Sequence, residues 1–421
     1  NYALEPTGEP DQVTVVVTVR DRSTGELRPA AQYATDTGFS ASLSYNERDF
    51  LGLAHSVSAE VNATSTDVGF MVGGRVSYEV PWLYVDWLDF KEVPPSVSAS
   101  LYSVVQNNQP LTAGGQTTVY YPGLPETDEN RVRVGEYTSR ASGFGFTVAR
   151  PLTPEISLSF GANGSYTQYL LEPVRTACEI EDDEVQNPNN CFLPESVAAQ
   201  FLPTSGLSGF TSVRVNYDDR DDPDFPTEGV AAYGSLGVGF GNDFLHPDTG
   251  DRVTYVYEQA TLGVRTYFKL ADVVPDQGQD ENHVFGVRLD LGHQFGGLYP
   301  TSKRFFVGQT PDIATQIRGY RREDFGLSRT YATSSFEYRY DFQLSTFATQ
   351  TVIGVAFVDL GWASTVPGFL EYQTPLFASA GVGVQINLGF GGVLLPAVRL
   401  DYAFSERHPT GVFSFRVGPV F

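Results

Sequence analysis

The chain has 421 residues, of which 41% are hydrophobic, 13% aromatic and 18% charged, with a formal net charge of −23. No window approaches the roughly 20 consecutive apolar residues of a membrane helix, so a helical membrane protein is excluded; the aromatic content and modest charge exclude disorder. The acidity argues against nucleic acid as a partner, because phosphate binding needs a basic stripe.

Residues 1–26 stand apart. The run from Pro10 to Arg20 reads as one strong strand, followed by a polar turn at 21–26. A lone strand is not stable, so this segment is expected to be the end of a preceding soluble domain and its linker, with the main domain at 27–421. The chain starts inside a motif and is read as a mature or trimmed piece of a longer protein.

From there period-two alternation repeats along most of the chain. It predicts strands at 28–35, 39–47, 55–64, 68–81, 96–107, 137–152, 156–172 and 207–221. The second half follows with 230–242, 252–270, 283–296, 331–343, 351–364, 377–389, 393–405 and 411–421. In one strand Phe285, Val287, Leu289 and Leu291 oppose Arg288 and Asp290; in another Phe336, Tyr338 and Tyr340 oppose Ser335, Glu337, Arg339 and Asp341. Later, Val382, Val384 and Ile386 oppose Gln385 and Asn387, and Leu400, Tyr402 and Phe404 oppose Arg399, Asp401 and Ser405.

A soluble β-sandwich also alternates. Here, however, the strands reach the roughly 9–11 residues that cross a tilted bilayer, and ionised side chains sit near mid-strand, as a wet lumen allows. The expected fold is therefore all-β, an antiparallel transmembrane barrel of about sixteen strands, closed because lipid tolerates no open edge. The 42 glycines, 23 tyrosines and 30 phenylalanines suit such strands and their aromatic girdles. Connections after even strands are mostly short, and those after odd strands include the longest, at 108–136, 173–206 and 297–330; 271–282 departs from that rule. Cys178 and Cys191 flank a polar, acidic stretch, offer no zinc spacing, and are read as a loop disulfide in an oxidising compartment.

A closed barrel must join its first and last strands. The first holds Arg28, Pro29, Ala30, Ala31, Gln32 and Tyr33, and the last holds Gly411, Phe413, Phe415, Gly418, Pro419 and Phe421. Proline donates no ladder hydrogen bond and glycine weakens a strand interior. A short joint that can part is the expectation.

Four segments together resemble the BamA/TamA superfamily of outer-membrane assembly factors and secretion transporters, the assembly-factor branch above all. The run from Pro10 to Gly25 is similar to the end of a last polypeptide-transport-associated (POTRA) domain entering the barrel. The stretches from Asn46 to Gly52 and from Tyr217 to Gly229 are similar to two of the family's turns. Arg318, Gly319 and Tyr320, with Phe357, Asp359 and Gly361, are similar to its loop motif and its strand motif. Tyr320 stands where assembly factors usually carry Phe, and the transporter branch shares Tyr there. The longest loop can fold back into the lumen, where Arg318 would meet the inward-facing Asp359 in a bidentate pair and fix the loop.

The resemblance implies an outer-membrane protein that inserts unfolded β-barrel clients at its first-strand/last-strand joint by strand addition. Outer-membrane lipid, periplasmic chaperones and lipoprotein subunits are the expected partners; no cofactor, metal or catalytic residue is expected. The rivals are a secretion transporter of the same superfamily, a passive porin, and an outer-membrane enzyme, for which no convincing nucleophile and base exist. His55, His246, His283, His293 and His408 are scattered without metal-ligand spacing.

Overall fold

A computed structural model describes residues 2–6, 13–17, 24–34, 38–66, 69–83, 94–111, 113, 117–173, 176–181, 184–186, 188–222, 226–246, 249–273, 282–308, 313–320, 324, 327–346, 349–364, 376–390, 393–394 and 397–417. Sixteen antiparallel strands among them form a closed barrel. They are β1 (Gly25–Ala34), β2 (Gly38–Phe50), β3 (His55–Thr66), β4 (Gly69–Val80), β5 (Ser96–Pro110), β6 (Glu136–Pro151), β7 (Ile156–Leu171) and β8 (Gly206–Asp218). The ring continues through β9 (Gly229–Leu245), β10 (Arg252–Lys269), β11 (His283–Phe295), β12 (Thr330–Asp341), β13 (Thr349–Ser364), β14 (Phe377–Phe390), β15 (Val398–Ser405) and β16 (Val412–Val417). No helix among the described residues is long and apolar enough to cross a membrane.

The wall is apolar outside and polar inside, the inverse of a soluble domain. On β13 Val358 is 44% exposed while its neighbour Asp359 is 0%; on β12 Phe336 is 50% exposed and Glu337 8%. Side chains alternate across a strand, so one sequence pattern makes a lipid face and a lumen face together. Closure by β16 pairing with β1 leaves no sheet edge around the ring.

Within the expected 10–20 strand, the described Val13–Val17 pairs antiparallel with Tyr2–Pro6. Two boundaries need correction. The barrel's first strand starts at Gly25, two residues before the expected boundary at 27, because Gly25 and Glu26 already pair with Glu47 and Asn46. The expected strand 393–405 is interrupted: Val393 and Leu394 pair with the end of β14, and β15 begins at Val398. One strand end also shifts. β8 stops at Asp218 because the next carboxylates serve the turn, with Asp219 Oδ1 accepting from Val230 N (2.6 Å) and Asp221 Oδ1 from Thr227 N (2.9 Å).

Connections of 111–135, 172–205 and 296–329 share one rim, although 35–37 and 67–68 on that rim are short and 81–95 on the other is long. Two of the long ones pack on each other. Leu111, Val132 and Val134 from the first share a core with Val185, Leu193 and Ala198 from the second. The Cys178–Cys191 disulfide is formed and packs there. Asn130 joins the two loops, its Oδ1 accepting from Val185 N at 2.9 Å.

Candidate functional site

The described parts of the third long connection, 296–329, turn back into the lumen against β8–β15. Its first part docks on aromatic rings: Tyr299 stacks on Tyr257 with centroids 4.9 Å apart, and Lys303 Nζ stands 3.3 Å from Asp243 Oδ2. Ile317 is then fully buried against Gly361, where a Cβ would overlap the Ile317 Cδ1. Gly319 adopts φ +82°, and a Cβ there would lie 3.1 Å from Ala403 Cβ and 3.2 Å from Ser379 Cβ. Both glycines are therefore required by close approach. The Gly319 carbonyl accepts from Ser405 Oγ at 2.6 Å, and the Tyr320 hydroxyl donates to the Ala378 carbonyl at 2.9 Å.

Between these anchors Arg318 is held by every face of its guanidinium. Nε donates to Asp359 Oδ2 and Nη2 to Asp359 Oδ1, both at 2.7 Å, the bidentate geometry that gives such pairs direction as well as energy. The Arg318 amide also donates to Asp359 Oδ2 at 3.0 Å. Nη1 donates to Glu337 Oε1 at 2.5 Å and Nη2 to Ser335 Oγ at 2.8 Å. The charged plane lies 3.5 Å from the centroid of the Phe357 ring. Burial works against the charge of Arg318, but Asp359 and Glu337 more than offset it and hold its pKa above the ordinary value.

Glu337 is a hub. Its Oε1 also accepts from Arg399 Nη2 (2.9 Å) and its Oε2 from Arg339 Nη2 (2.9 Å). Arg399 Nε reaches Asp401 Oδ2 at 2.9 Å, and Arg288 Nε stands 3.4 Å from Asp290 Oδ2. The network thus holds four arginines (288, 318, 339, 399) and four carboxylates (290, 337, 359, 401), which balance. A second link to the loop runs from Arg288 Nη2 to the Gln316 carbonyl at 2.8 Å.

All five residues expected in the lock, Arg318, Gly319, Tyr320, Asp359 and Gly361, come together. Glu337, Arg399, Ser335 and Arg288 belong with them and were missed as site residues. The alternation already placed each on a luminal face, which was the available signal. It does not say which luminal residues meet.

The joint between β16 and β1 is described as far as Val417. Four register pairs connect them: Ser414–Ala34, Phe415–Tyr33, Arg416–Gln32 and Val417–Ala31. β1 pairs with β2 over ten positions, and β6 with β7 over fifteen. Of the residues expected at the joint, Ala31, Gln32, Tyr33 and Phe415 lie in the ladder. Arg28, Pro29 and Ala30 belong to the same strand and pair on its other edge with Ser44, Leu43 and Ser42 of β2; on the joint side, the described residues of β16 end at Val417, opposite Ala31. Phe413 is opposite Tyr402 on β15, and Gly411 sits in the preceding turn with φ +84°. Gly418, Pro419 and Phe421 lie outside the described residues.

An even-stranded barrel with a lipid-facing apolar wall and a lumen entered by its own salt-bridged loop defines a class, the β-barrel proteins of the outer membrane. The chain belongs to the Omp85 superfamily, whose domain model matches residues 30–421, and it resides in the outer membrane as that superfamily does. Solved structures share the fold. A BamA from Haemophilus ducreyi lacking POTRA domains 1-3 superposes with a TM-score of 0.58 at 15% identity, over 99% of this chain and 74% of that one. CdiB from Acinetobacter baumannii gives 0.55 at 12% identity over 99% and 64% of the two chains, and CdiB from Escherichia coli 0.58 at 11% over 99% and 67%. At the superfamily level the role is insertion of β-barrels or secretion of proteins, with outer-membrane barrel clients or secreted partners.

Proposed function

We propose that this protein folds other β-barrel proteins into the outer membrane, using β1 as a template for the client's terminal strand. The observation that carries the proposal is the β16–β1 joint, where four register pairs at Ala31–Ala34 lie among the described residues and Arg416 faces Arg399 across the other edge of β16. Parting it exposes backbone groups, each of which costs several kcal/mol in lipid, and an incoming strand satisfies them by β-augmentation. Pairing continues strand by strand and no covalent bond changes, so the protein acts without enzymatic chemistry or a cofactor. Its partners are unfolded barrel clients, the surrounding lipid, and the periplasmic chaperones and lipoproteins that deliver and support them.

The second reading, secretion of an unfolded client through the lumen, draws on Tyr320, the residue shared with the transporter branch. One experiment separates the two. Cysteines at the register partners Gln32 and Arg416, oxidised in the folded barrel, should abolish client insertion into vesicles, with recovery on reduction; wild type treated with the same reductant controls for Cys178–Cys191. Undiminished insertion by the bridged barrel refutes the proposal.

A further inference from the structure

The outer wall of β8–β13 is not evenly covered. A groove with a cavity volume of about 560 Å³ is sunk into it, lined almost wholly by apolar side chains. Its floor is where the lipid face carries small residues: Gly234 on β9, Ala260 on β10 and Ala332 on β12. Its sides are Val215, Leu236, Leu262, Leu291 and Phe295, all well exposed. Register explains the depression. One row across the sheet reads Val215, Gly234, Leu262, Leu291, Ala332 and Trp362, and the adjacent row pairs Leu236 with Ala260 and then His293. Small residues thus interrupt two neighbouring rows, Gly234 and Ala332 in one and Ala260 in the other, and leave a trough.

The groove has a direction. At one end lie Thr330 at the start of β12, Trp362 near the end of β13, and His293, all beside the rim of the long loops. There His293 Nδ1 and Thr330 Oγ1 are 2.6 Å apart. At the other end, mid-wall on β8 and β9, Val213, Val215 and Gly234 offer no polar side chain. Trp favours the membrane–water boundary, where one end of the ring is wet. The trough therefore passes from the outer interface toward the bilayer's middle.

We infer that this groove holds one acyl chain of an outer-leaflet lipid, its carbonyl end beside Trp362 and His293 and its methyl end over Gly234. The barrel lies in the outer membrane, so this wall already faces lipid and the groove is continuous with that interface. A trough of this size and apolar lining falls in the range of small-ligand sites. The site stands back to back with the lumen lock: Trp362 follows Gly361, and Ala332 precedes Thr333, which donates to the Ala314 carbonyl of the loop at 2.6 Å. The inference does not depend on what the barrel does to its clients.

Trp362 is one of three tryptophans, so Trp82→Phe/Trp87→Phe leaves it as the sole indole reporter. This barrel is reconstituted in phosphatidylcholine brominated near the carbonyl end of its chains and then moved into lipid-free detergent. Retained quenching of Trp362 is expected, reporting a chain that stays in the groove. Adding Gly234→Leu and Ala260→Leu fills the trough, and a Cβ at Gly234 meets nothing nearer than Leu262 Cδ1 at 3.9 Å. Emission should then recover fully, while Ala356→Leu, an outward position outside the groove, should keep the quenching. Heat-modifiable mobility on gels shows that each variant is folded. Complete recovery in the unfilled barrel, or equal quenching in the filled one, overturns the inference.

Discussion

Arg318 is the residue on which the loop's position rests, and the reason is geometric as much as electrostatic. Its two carboxylate partners come from different strands, Asp359 on β13 and Glu337 on β12. Arg318→Ala removes the loop's cation and leaves both carboxylates buried, a loss of about 3–5 kcal/mol for a broken buried pair. The expected result is a barrel that still migrates as folded but whose 296–329 segment is cut far faster by a protease. Arg318→Lys should fail to restore protection, because a point charge cannot reproduce the fork that spans Asp359, Ser335 and Glu337. If Lys protects fully, charge alone holds the loop. The Arg318–Asp359 half of this lock is legible in the sequence, since the motif names both residues and alternation turns Asp359 inward. The Glu337 half is not, because Arg399 and Glu337 are 62 residues apart and meet only once the ring has closed and the loop has entered it.

At the scale of strands, the wall is uneven. β9 and β10 run 17 and 18 residues, whereas β15 has 8 and β16 has 6 among the described residues. Arg399 and Arg416 stand directly opposite in the β15–β16 register, and facing like charges destabilise a strand pair. Facing arginines on one side of β16 predict that this strand and β1 open locally more often than the far wall. Hydrogen–deuterium exchange of Gly25–Ala34 and Val412–Val417 should outpace that of β6 and β7 by roughly tenfold or more, about 1.4 kcal/mol in local opening. Equal protection around the ring would remove the basis for a parting joint. Strand number and facing were legible because lipid on one side and water on the other impose the same alternation on every strand. What the pattern could not reveal is the shared core of the two outer loops, where Val132 meets Leu193 through contacts that follow no period.

At the scale of the whole barrel, the question is whether the lumen conducts. Residues of the inserted loop, among them Val307, Ile317 and Tyr320, are buried against the β12–β14 wall, and the charges around them balance four against four. A lumen holding this loop should pass little current in a planar bilayer, which distinguishes this barrel from a passive pore. Arg318→Ala alters both terms together. The loop is released, and the ion-paired cluster loses one positive charge, leaving three arginines (288, 339, 399) with its four carboxylates. Fixed charge on a pore wall sets which ion passes, so single-channel conductance should rise and the current should favour cations. Glu337→Gln added to Arg318→Ala returns the count to three against three and should reduce that preference while the conductance stays high. Conductance unchanged by Arg318→Ala would mean that some other part of the chain closes the lumen; a rise without cation preference would mean that the arginine cluster is not exposed to the pathway.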